Sequence, residues 1–267
     1  MAALGSGDTA RARRVFEQAA GAAEAGTSLS VLGLADVAMF EGHYAEAIAI
    51  LPRAVLSDEA QGNSIGAAAK LVTLAEAHAA RQDAKARDAA IARLRKLSDQ
   101  ASALVPVARL AIAAGRVGEA RAIAAELATR LPAQSRAYGK LVEAEIAMAG
   151  RQYLTAIDAL NSAQKLADLW LVRFALGLAY FQRGDYPEAT SELQKCRDRR
   201  GEATAVFLDD LPSFRYYATL PYWLGRAREM QKLDARPQYQ EFLRIRQAAT
   251  DDPLVDDARK RLGATSG

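Results

Sequence analysis

The chain has 267 residues, of which 51% are hydrophobic and 25% charged, and its net charge is +3. This composition is typical of a folded globular or repeat protein with ample core material and excludes a largely disordered chain. The slight charge, with basic residues interspersed among acids and alanines, argues against nucleic-acid binding. No stretch approaches the length of an apolar membrane span, and the N-terminus lacks a signal-peptide core. We therefore expect a cytoplasmic chain, with any membrane anchor outside this sequence.

A glycine in a setting typical of a tight turn recurs at a nearly constant interval. The glycines concerned are Gly7, Gly42, Gly115, Gly150 and Gly184. They are separated by 35, 73, 35 and 34 residues, and the interval of 73 divides into 40 and 33 if Gln82 and Asp83 form a degenerate turn. A period near 34 residues predicts a single domain built from tandem helix-turn-helix units.

In chain order, residues 1–26 carry the turn and second helix of a partial unit. Complete units are predicted over 28–59, 65–99, 101–132, 136–168, 170–201 and 214–249. Residues 202–213 are too long for a tight inter-repeat turn and are predicted to be a connector. Pro221 is expected to interrupt the helix before it, which makes Pro212 to Thr219 a separate helical turn. Residues 252–262 are predicted to form a capping helix with a polar outer face.

The clearest unit is 170–201. Its characteristic residues are Leu176, Gly177, Tyr180, Gly184, Asp185, Tyr186, Ala189 and Leu193. Gly177 and Ala189 are predicted where the two helices cross, because only very small side chains let the backbones approach closely. Gly184 is predicted to end the first helix in a left-handed conformation. Pro187 is predicted to lie in the first turn of the second helix.

This pattern, L-G-x-x-Y followed by A-x-x-x-[large apolar], resembles the tetratricopeptide repeat (TPR), a two-helix unit of about 34 residues. Arg173 stands where the fullest form has tryptophan, and Gly201 replaces the closing proline. The resemblance implies an all-α fold, a right-handed superhelix or α-solenoid. Pentatricopeptide units have a similar length but read RNA with a basic inner face, whereas the inner face expected here is mixed. HEAT-like units are longer and lack this spacing.

A second resemblance lies in the C-terminal third. Arg199 to Leu233 and Asp252 to Leu262 look like the end of the TPR regions that follow the kinase domain in bacterial eukaryotic-like serine/threonine kinases. The resemblance implies a regulatory or partner-binding segment of a larger signalling protein. It implies no kinase activity in these residues, because the G-x-G-x-x-G, V-A-I-K, H-R-D and D-F-G motifs are absent.

The sequence also lacks other catalytic signals. The single cysteine, Cys196, excludes a disulfide within the chain and a cysteine-based zinc site, and it falls at a small core position. His43 is predicted in a turn and His78 at a packing position, so neither suggests a metal site or a catalytic base. The acidic pairs at 209–210 and 251–252 precede prolines and are predicted to cap helices. We therefore expect no enzyme activity, no cofactor and no metal.

The resemblance to TPR proteins implies that the first helix of each pair lines a concave groove, with its second, fifth, ninth and twelfth positions pointing inward. The main candidates for partner binding are Arg109, Glu145, Met148, Phe174, Leu178, Phe181, Tyr222, Arg226 and Glu229. The same rule adds Leu32, Asp36, Met39, Val72, Glu76, Val105 and Leu141. The alternative for part of this set is packing against the next repeat. The lysine and asparagine pair that clamps a peptide carboxylate in some TPR domains is missing here.

Aromatic residues are concentrated near the C-terminus, with 13 of the 18 between Trp170 and Phe242. Those around the connector form a set with one arginine, the connector patch, which consists of Phe207, Phe214, Arg215, Tyr216, Tyr217 and Trp223. Aromatic residues and arginine are enriched in protein-binding hot spots. The alternative is that these side chains only attach an irregular connector to the last repeat.

The sequence is compatible with two main functions. The first is a scaffold that binds a peptide or a partner domain in the groove. The second is a self-association or structural module that positions an attached catalytic domain, in which case the chain forms homo-oligomers. A small-molecule sensor is a weaker third function, since tandem repeats rarely enclose a deep pocket.

Overall fold

The computed structural model of the protein describes residues 2–20, 24–204, 211–247, 249 and 252–264. These residues form helices joined by turns, with no β-strand among them. The chain divides into two compact units. The first comprises Met1–Pro106 and Ile245–Pro253, and the second comprises Val107–Arg244 and Leu254–Gly267. The prediction of an all-α fold is therefore confirmed.

In the first unit the helices pack as neighbours in the order of the chain. They are α1 (Ala2–Gly5), α2 (Thr9–Ala20), α3 (Glu24–Glu41), α4 (Tyr44–Ala60), α5 (Ser64–Ala80), α6 (Ala84–Leu97) and the start of α7 (Ala101–Ala113). Each helix from α1 to α5 packs on its successor, and α3 also packs on α5. The first helix of one pair therefore lies beside the first helix of the next pair.

The second unit continues the same scheme. After α7 come α8 (Val117–Ala128), α9 (Ala133–Ala149), α10 (Tyr153–Leu166), α11 (Trp170–Arg183), α12 (Tyr186–Asp198), α13 (Arg200–Ala203), α14 (Phe214–Tyr217), α15 (Leu220–Met230), α16 (Arg236–Ile245) and α17 (Pro253–Ala264). Each helix from α8 to α11 packs on its successor, α9 packs on α11, and α12 packs on α15. As in the first unit, first helices of neighbouring pairs are in contact.

The turn inside every helix pair has the same backbone structure. One residue adopts a left-handed conformation at each of Gly7, Gly42, Gln82, Gly115, Arg151, Gly184 and Lys232. In each turn, the N–H of this residue donates to the carbonyl three residues earlier, and the next N–H donates to the carbonyl five residues earlier. These are the hydrogen bonds of a Schellman motif, which satisfies the last carbonyls of the first helix and reverses the chain.

Three of these turns have no glycine at the left-handed position. Gln82 adopts φ 59°, so the degenerate turn predicted there is confirmed. The Gly150–Arg151 turn lies where it was predicted, but Arg151 is the left-handed residue, at φ 58°, while Gly150 stays at φ −84°. The turn at Lys232, at φ 59°, was not predicted, because no glycine marks it. Hydrogen bonds to the helix end therefore hold a conformation that the local sequence does not favour.

Small residues allow the paired helices to approach closely, as predicted. A Cβ atom added to Gly177 of α11 would lie 2.8 Å from Cγ of Leu193 on α12. Ala189 in the same pair has no exposed surface. Gly225 of α15 has the same role, since a Cβ there would lie 2.8 Å from Cε1 of Tyr239 on α16. A larger side chain at either glycine would require the facing Leu193 or Tyr239 side chain to shift.

Prolines start three helices, as the sequence predicts. Pro187 lies in the first turn of α12, and Pro253 is the first residue of α17. Pro221 lies in the first turn of α15, which separates that helix from the short α14. Proline fits these positions because its missing N–H would have had no helical partner there.

A buried arginine joins distant parts of the first unit. Arg246 is 3% exposed, its Nη1 donates to the hydroxyl of Tyr44 at 2.8 Å, and the same atom lies 3.2 Å from Oδ2 of Asp252. A Cβ on Gly42 would lie 2.7 Å from this Nη1, so the turn between α3 and α4 is shaped to receive the guanidinium. Asp252 was predicted as a helix cap, and its pairing with Arg246 was not foreseen.

We predict that Gly184→Ala lowers the free energy of unfolding by about 1–2 kcal/mol, because the left-handed backbone conformation at this position is strained for alanine and not for glycine. Gly118→Ala is the control, since no atom lies within 4 Å of its added Cβ and its φ is not left-handed. This control should be neutral or stabilising by up to about 1 kcal/mol. Urea unfolding followed by circular dichroism measures both, and equal destabilisation would contradict the assignment.

We predict that Asp252→Ala destabilises the protein by about 3 kcal/mol, because it leaves the charge of Arg246 buried without its carboxylate. Asp256→Ala is the matched control on α17, since that side chain is 77% exposed and pairs with Arg259 at 3.7 Å. Removing such a surface pair should cost less than about 1 kcal/mol. Thermal unfolding distinguishes the two variants, and a small effect at Asp252 would show that Tyr44 suffices to hold Arg246.

Candidate functional site

The sixteen positions predicted to line the groove fall into two equal groups. Eight are buried, namely Asp36, Met39, Val72, Val105, Leu141, Glu145, Phe174 and Tyr222. Eight are partly exposed, namely Leu32, Glu76, Arg109, Met148, Leu178, Phe181, Arg226 and Glu229. Only the second group offers side-chain surface to a partner in this structure, so the buried positions act through packing.

Side chains on neighbouring first helices contact one another, and three of the four named here are predicted groove positions. Nε of Arg109 on α7 donates to Glu145 on α9 at 3.0 Å. The rings of Phe181 on α11 and Trp223 on α15 meet edge to face at 5.6 Å. These contacts connect one helix pair to the next along the face formed by the first helices of residues 107–244, which we call the first-helix face.

Four partly exposed side chains form what we call the aromatic–arginine patch: Phe181, Trp223 and Arg226 on first helices, and Tyr186 at the start of the second helix α12. The ring centroid of Phe181 lies 5.6 Å from that of Tyr186 and 5.6 Å from that of Trp223. The guanidinium carbon of Arg226 lies 5.5 Å from the Phe181 ring centroid, within range of a cation–π interaction. Tyr186 was not predicted as a site residue, although it marks the turn of its repeat.

The remaining predicted residues of α15 contact the capping helix α17. The hydroxyl of Tyr222 donates to Oδ2 of Asp257 at 2.7 Å. Arg261 donates to Asp257 at 2.6 Å and to Glu229 at 2.7 Å. Hydrogen bonds from Arg261 and Tyr222 lower the pKa of Asp257, against the opposing effect of burial. Tyr222 and Glu229 therefore hold the capping helix in place.

The connector patch is mostly buried. Phe214, Arg215 and Tyr217 are 2%, 9% and 6% exposed, whereas Tyr216 and Trp223 are partly exposed. Phe207 lies outside the described residues. Most of this patch is thus packed against the rest of the protein.

The contacts of two connector tyrosines reach helices that precede them in the chain. The guanidinium carbon of Arg109 on α7 lies 4.0 Å from the ring centroid of Tyr216. Tyr217 meets the edge of Trp170 on α11 at 6.1 Å. The alternative considered from the sequence was attachment to the last repeat, and α14 does pack on α15. The structure adds contacts with two earlier repeats, which the sequence pattern did not predict.

Burial around Arg109 affects the charge of its partner. Desolvation raises the pKa of Glu145, while the neighbouring Arg109 acts in the opposite direction. The folded protein therefore binds a proton at Glu145 more readily than the unfolded chain does. The ion pair at the centre of this face is thus formed in a poorly hydrated environment.

The cysteine is buried, and both histidines lie beside acidic side chains. Cys196 has no exposed surface, as predicted for a core residue, and burial raises the pKa of its thiol. His43 lies near Glu41 at 3.5 Å and Glu46 at 3.6 Å, and His78 lies near Asp83 at 3.7 Å. Within the described ranges, no three His, Cys, Asp or Glu side chains are grouped to hold a metal ion.

We predict that the stability of the wild-type protein relative to Glu145→Gln rises as the pH falls from about 7 to about 5. Because desolvation raises the pKa of Glu145 in the folded state, the native protein binds a proton there at a higher pH than the unfolded chain does, so its stability increases as the pH falls toward the range in which an unfolded glutamate titrates. Glutamine cannot take up a proton. Urea unfolding of both proteins at the two pH values measures the effect, and a difference independent of pH would contradict the desolvation of Glu145.

Comparison with known proteins agrees with this geometry. Residues 170–195 match the family model described as tetratricopeptide repeat. No curated protein sequence matches the chain. Within the described residues, no helix combines the length and apolar character that a membrane crossing requires.

A solved structure shows the fold of the whole chain. The crystal structure of a tetratricopeptide repeat protein from Parabacteroides merdae superposes with a TM-score of 0.54, covering 98% of this chain and 94% of that one, at 14% sequence identity. At this identity the likeness concerns the fold alone. Residues 170–195 are therefore similar to a tetratricopeptide repeat, and the chain has the all-α fold of paired helices seen in a tetratricopeptide repeat protein.

Proposed function

We propose that this protein is a non-catalytic scaffold that binds a peptide or a partner domain on its first-helix face. The aromatic–arginine patch is the observation that carries the proposal. Its four side chains are partly exposed and come from three helices of two neighbouring repeats. Large aromatic side chains and arginine, partly exposed in the free protein and buried on binding, dominate the energetics of protein–protein contacts.

The patch is also preorganised. Edge-to-face contacts hold Phe181 against Tyr186 and Trp223, and Gln231 donates to the backbone carbonyl of Tyr186 at 3.1 Å. A surface that already has its bound geometry loses little side-chain entropy on binding. The patch therefore suits a partner that presents an apolar segment better than a partner that presents a flexible, purely polar segment.

Charges on this face are balanced. Arg109 pairs with Glu145, and Arg226 lies 3.8 Å from Glu229 and 3.8 Å from Asp257. A nucleic-acid surface needs an excess of positive charge to neutralise phosphates. Our proposal therefore names a protein partner and no nucleic acid.

The resemblance of Arg199 to Leu233 and of Asp252 to Leu262 to kinase-associated TPR regions supports a further proposal about context. The chain would then be the interaction region of a larger bacterial signalling protein. In that setting the partner binds to the first-helix face while a catalytic domain acts elsewhere.

Site-specific photocrosslinking tests the proposal. Phe181→p-benzoylphenylalanine places an aromatic crosslinker in the patch, and Tyr153→p-benzoylphenylalanine places the same group on the second helix α10. In cells that express the protein, we expect adducts with another protein from position 181. The crosslinker at position 153 should give few adducts.

Trp223→Ala with Arg226→Ala in the Phe181 crosslinker protein provides the second arm. Loss of two hot-spot side chains should weaken binding by more than about tenfold, so the adduct should largely disappear. Circular dichroism confirms that the variant keeps its helices. Equal adducts from positions 153 and 181 would contradict a site on the first-helix face. Adducts of the protein with itself would favour self-association.

A further inference from the structure

The short segment Leu211 to Thr219, which contains α14, makes two aromatic contacts with the first-helix face. Tyr216 covers the guanidinium group of Arg109 at 4.0 Å, and Tyr217 meets the edge of Trp170 at 6.1 Å. Arg109 belongs to α7 and Trp170 to α11. The segment therefore bridges helices that lie far earlier in the chain, on the face to which we assign partner binding.

The backbone of this segment forms its own helical turn. The N–H groups of Tyr216 and Tyr217 donate to the carbonyl of Ser213 at 3.0 and 3.1 Å, and the N–H of Ala218 donates to Phe214 at 3.3 Å. The aromatic side chains project from this turn toward the repeats. A short helix that places its side chains against a preformed face is a common way in which peptides bind helical proteins.

Arg109 and Trp170, the two residues that the segment contacts, also contact other parts of the repeats. Glu145 holds Arg109 at 3.0 Å. Nε1 of Trp170 donates to the carbonyl of Cys196 at 2.9 Å, and its ring stacks on Phe174 at 5.3 Å. Both contact residues are thus also held by contacts with the repeats themselves.

We propose that Arg109 and Trp170 form a recognition site for a helical turn with two adjacent aromatic side chains, and that Leu211 to Thr219 is an internal ligand of this site. The inference rests on the proposed function, and it adds the class of ligand and its regulation. An external peptide with the same chemistry binds only when the internal segment leaves.

A tethered ligand competes strongly even when its own affinity is modest. A short linker gives a tethered group an effective concentration on the order of millimolar. If the free segment bound with a Kd of about 0.1 mM, the internal copy would weaken an external peptide by about tenfold. Substitutions that weaken the binding of the internal segment should therefore make the binding of an external peptide measurable.

The probe is a fluorescent peptide with the sequence of residues 211–219, LPSFRYYAT. Its binding is measured by fluorescence anisotropy to the full chain and to the same chain with Tyr216→Ala and Tyr217→Ala. We expect the peptide to bind the double variant at least about tenfold more tightly than the wild type. Adding Arg109→Ala to the double variant should remove most of this gain.

Two controls isolate the aromatic contacts. A peptide with alanine in place of both tyrosines should bind neither protein. Tyr153→Ala removes a partly exposed tyrosine of the same unit that is not part of the segment. This variant should bind the LPSFRYYAT peptide as weakly as the wild type does.

Each contrary outcome overturns the inference. Binding to the folded double variant that is no tighter than binding to the wild type shows that the segment is not a ligand. A double variant without helical circular dichroism shows that the segment is part of the core, and Tyr216→Ala alone, which removes a partly exposed side chain, repeats the binding measurement. No natural partner enters this experiment, so its result is independent of the photocrosslinking test.

Discussion

The close approach of two antiparallel helices is the constraint on which the rest of this structure depends. It requires very small side chains at the crossing, such as Gly177 opposite Leu193, and a chain reversal within a few residues. A Schellman motif provides that reversal in all seven helix pairs of the described chain. Because each reversal uses hydrogen bonds to the preceding helix end, left-handed Gln82, Arg151 and Lys232 can replace glycine there. The recurring geometry therefore tolerates considerable divergence of sequence.

The first-helix face is a consequence of this pairing. Within each unit, first helices of neighbouring pairs meet, as α3 meets α5 and α9 meets α11. Side chains on the remaining surface then either connect neighbouring repeats or stay partly exposed. Arg109 and Glu145 illustrate the first outcome, and Leu178 and Met148 illustrate the second. Our proposal assigns partner binding to the side chains that stay partly exposed.

The connector shows how far a repeat pattern can predict a site. The aromatic composition around it indicates a special role, but composition does not show where the residues that follow it, such as Tyr216, will pack. The contact of Tyr216 with Arg109 joins residues more than 100 positions apart, and no periodicity relates them. The same holds for Arg246, which reaches Tyr44 across 202 positions. Such contacts depend on the three-dimensional course of the chain.

By itself, the sequence determined the all-α fold, the helix pairs, most of their turns and the proline-started helices, because these features depend on local periodicity and backbone preference. It also identified the first helices as the candidate surface. Only the tertiary structure decided which groove positions are buried, which aromatic rings form a partly exposed patch, and which arginine the connector covers. Those properties depend on the packing of non-adjacent helices, and a one-dimensional pattern contains no information about the distance between them.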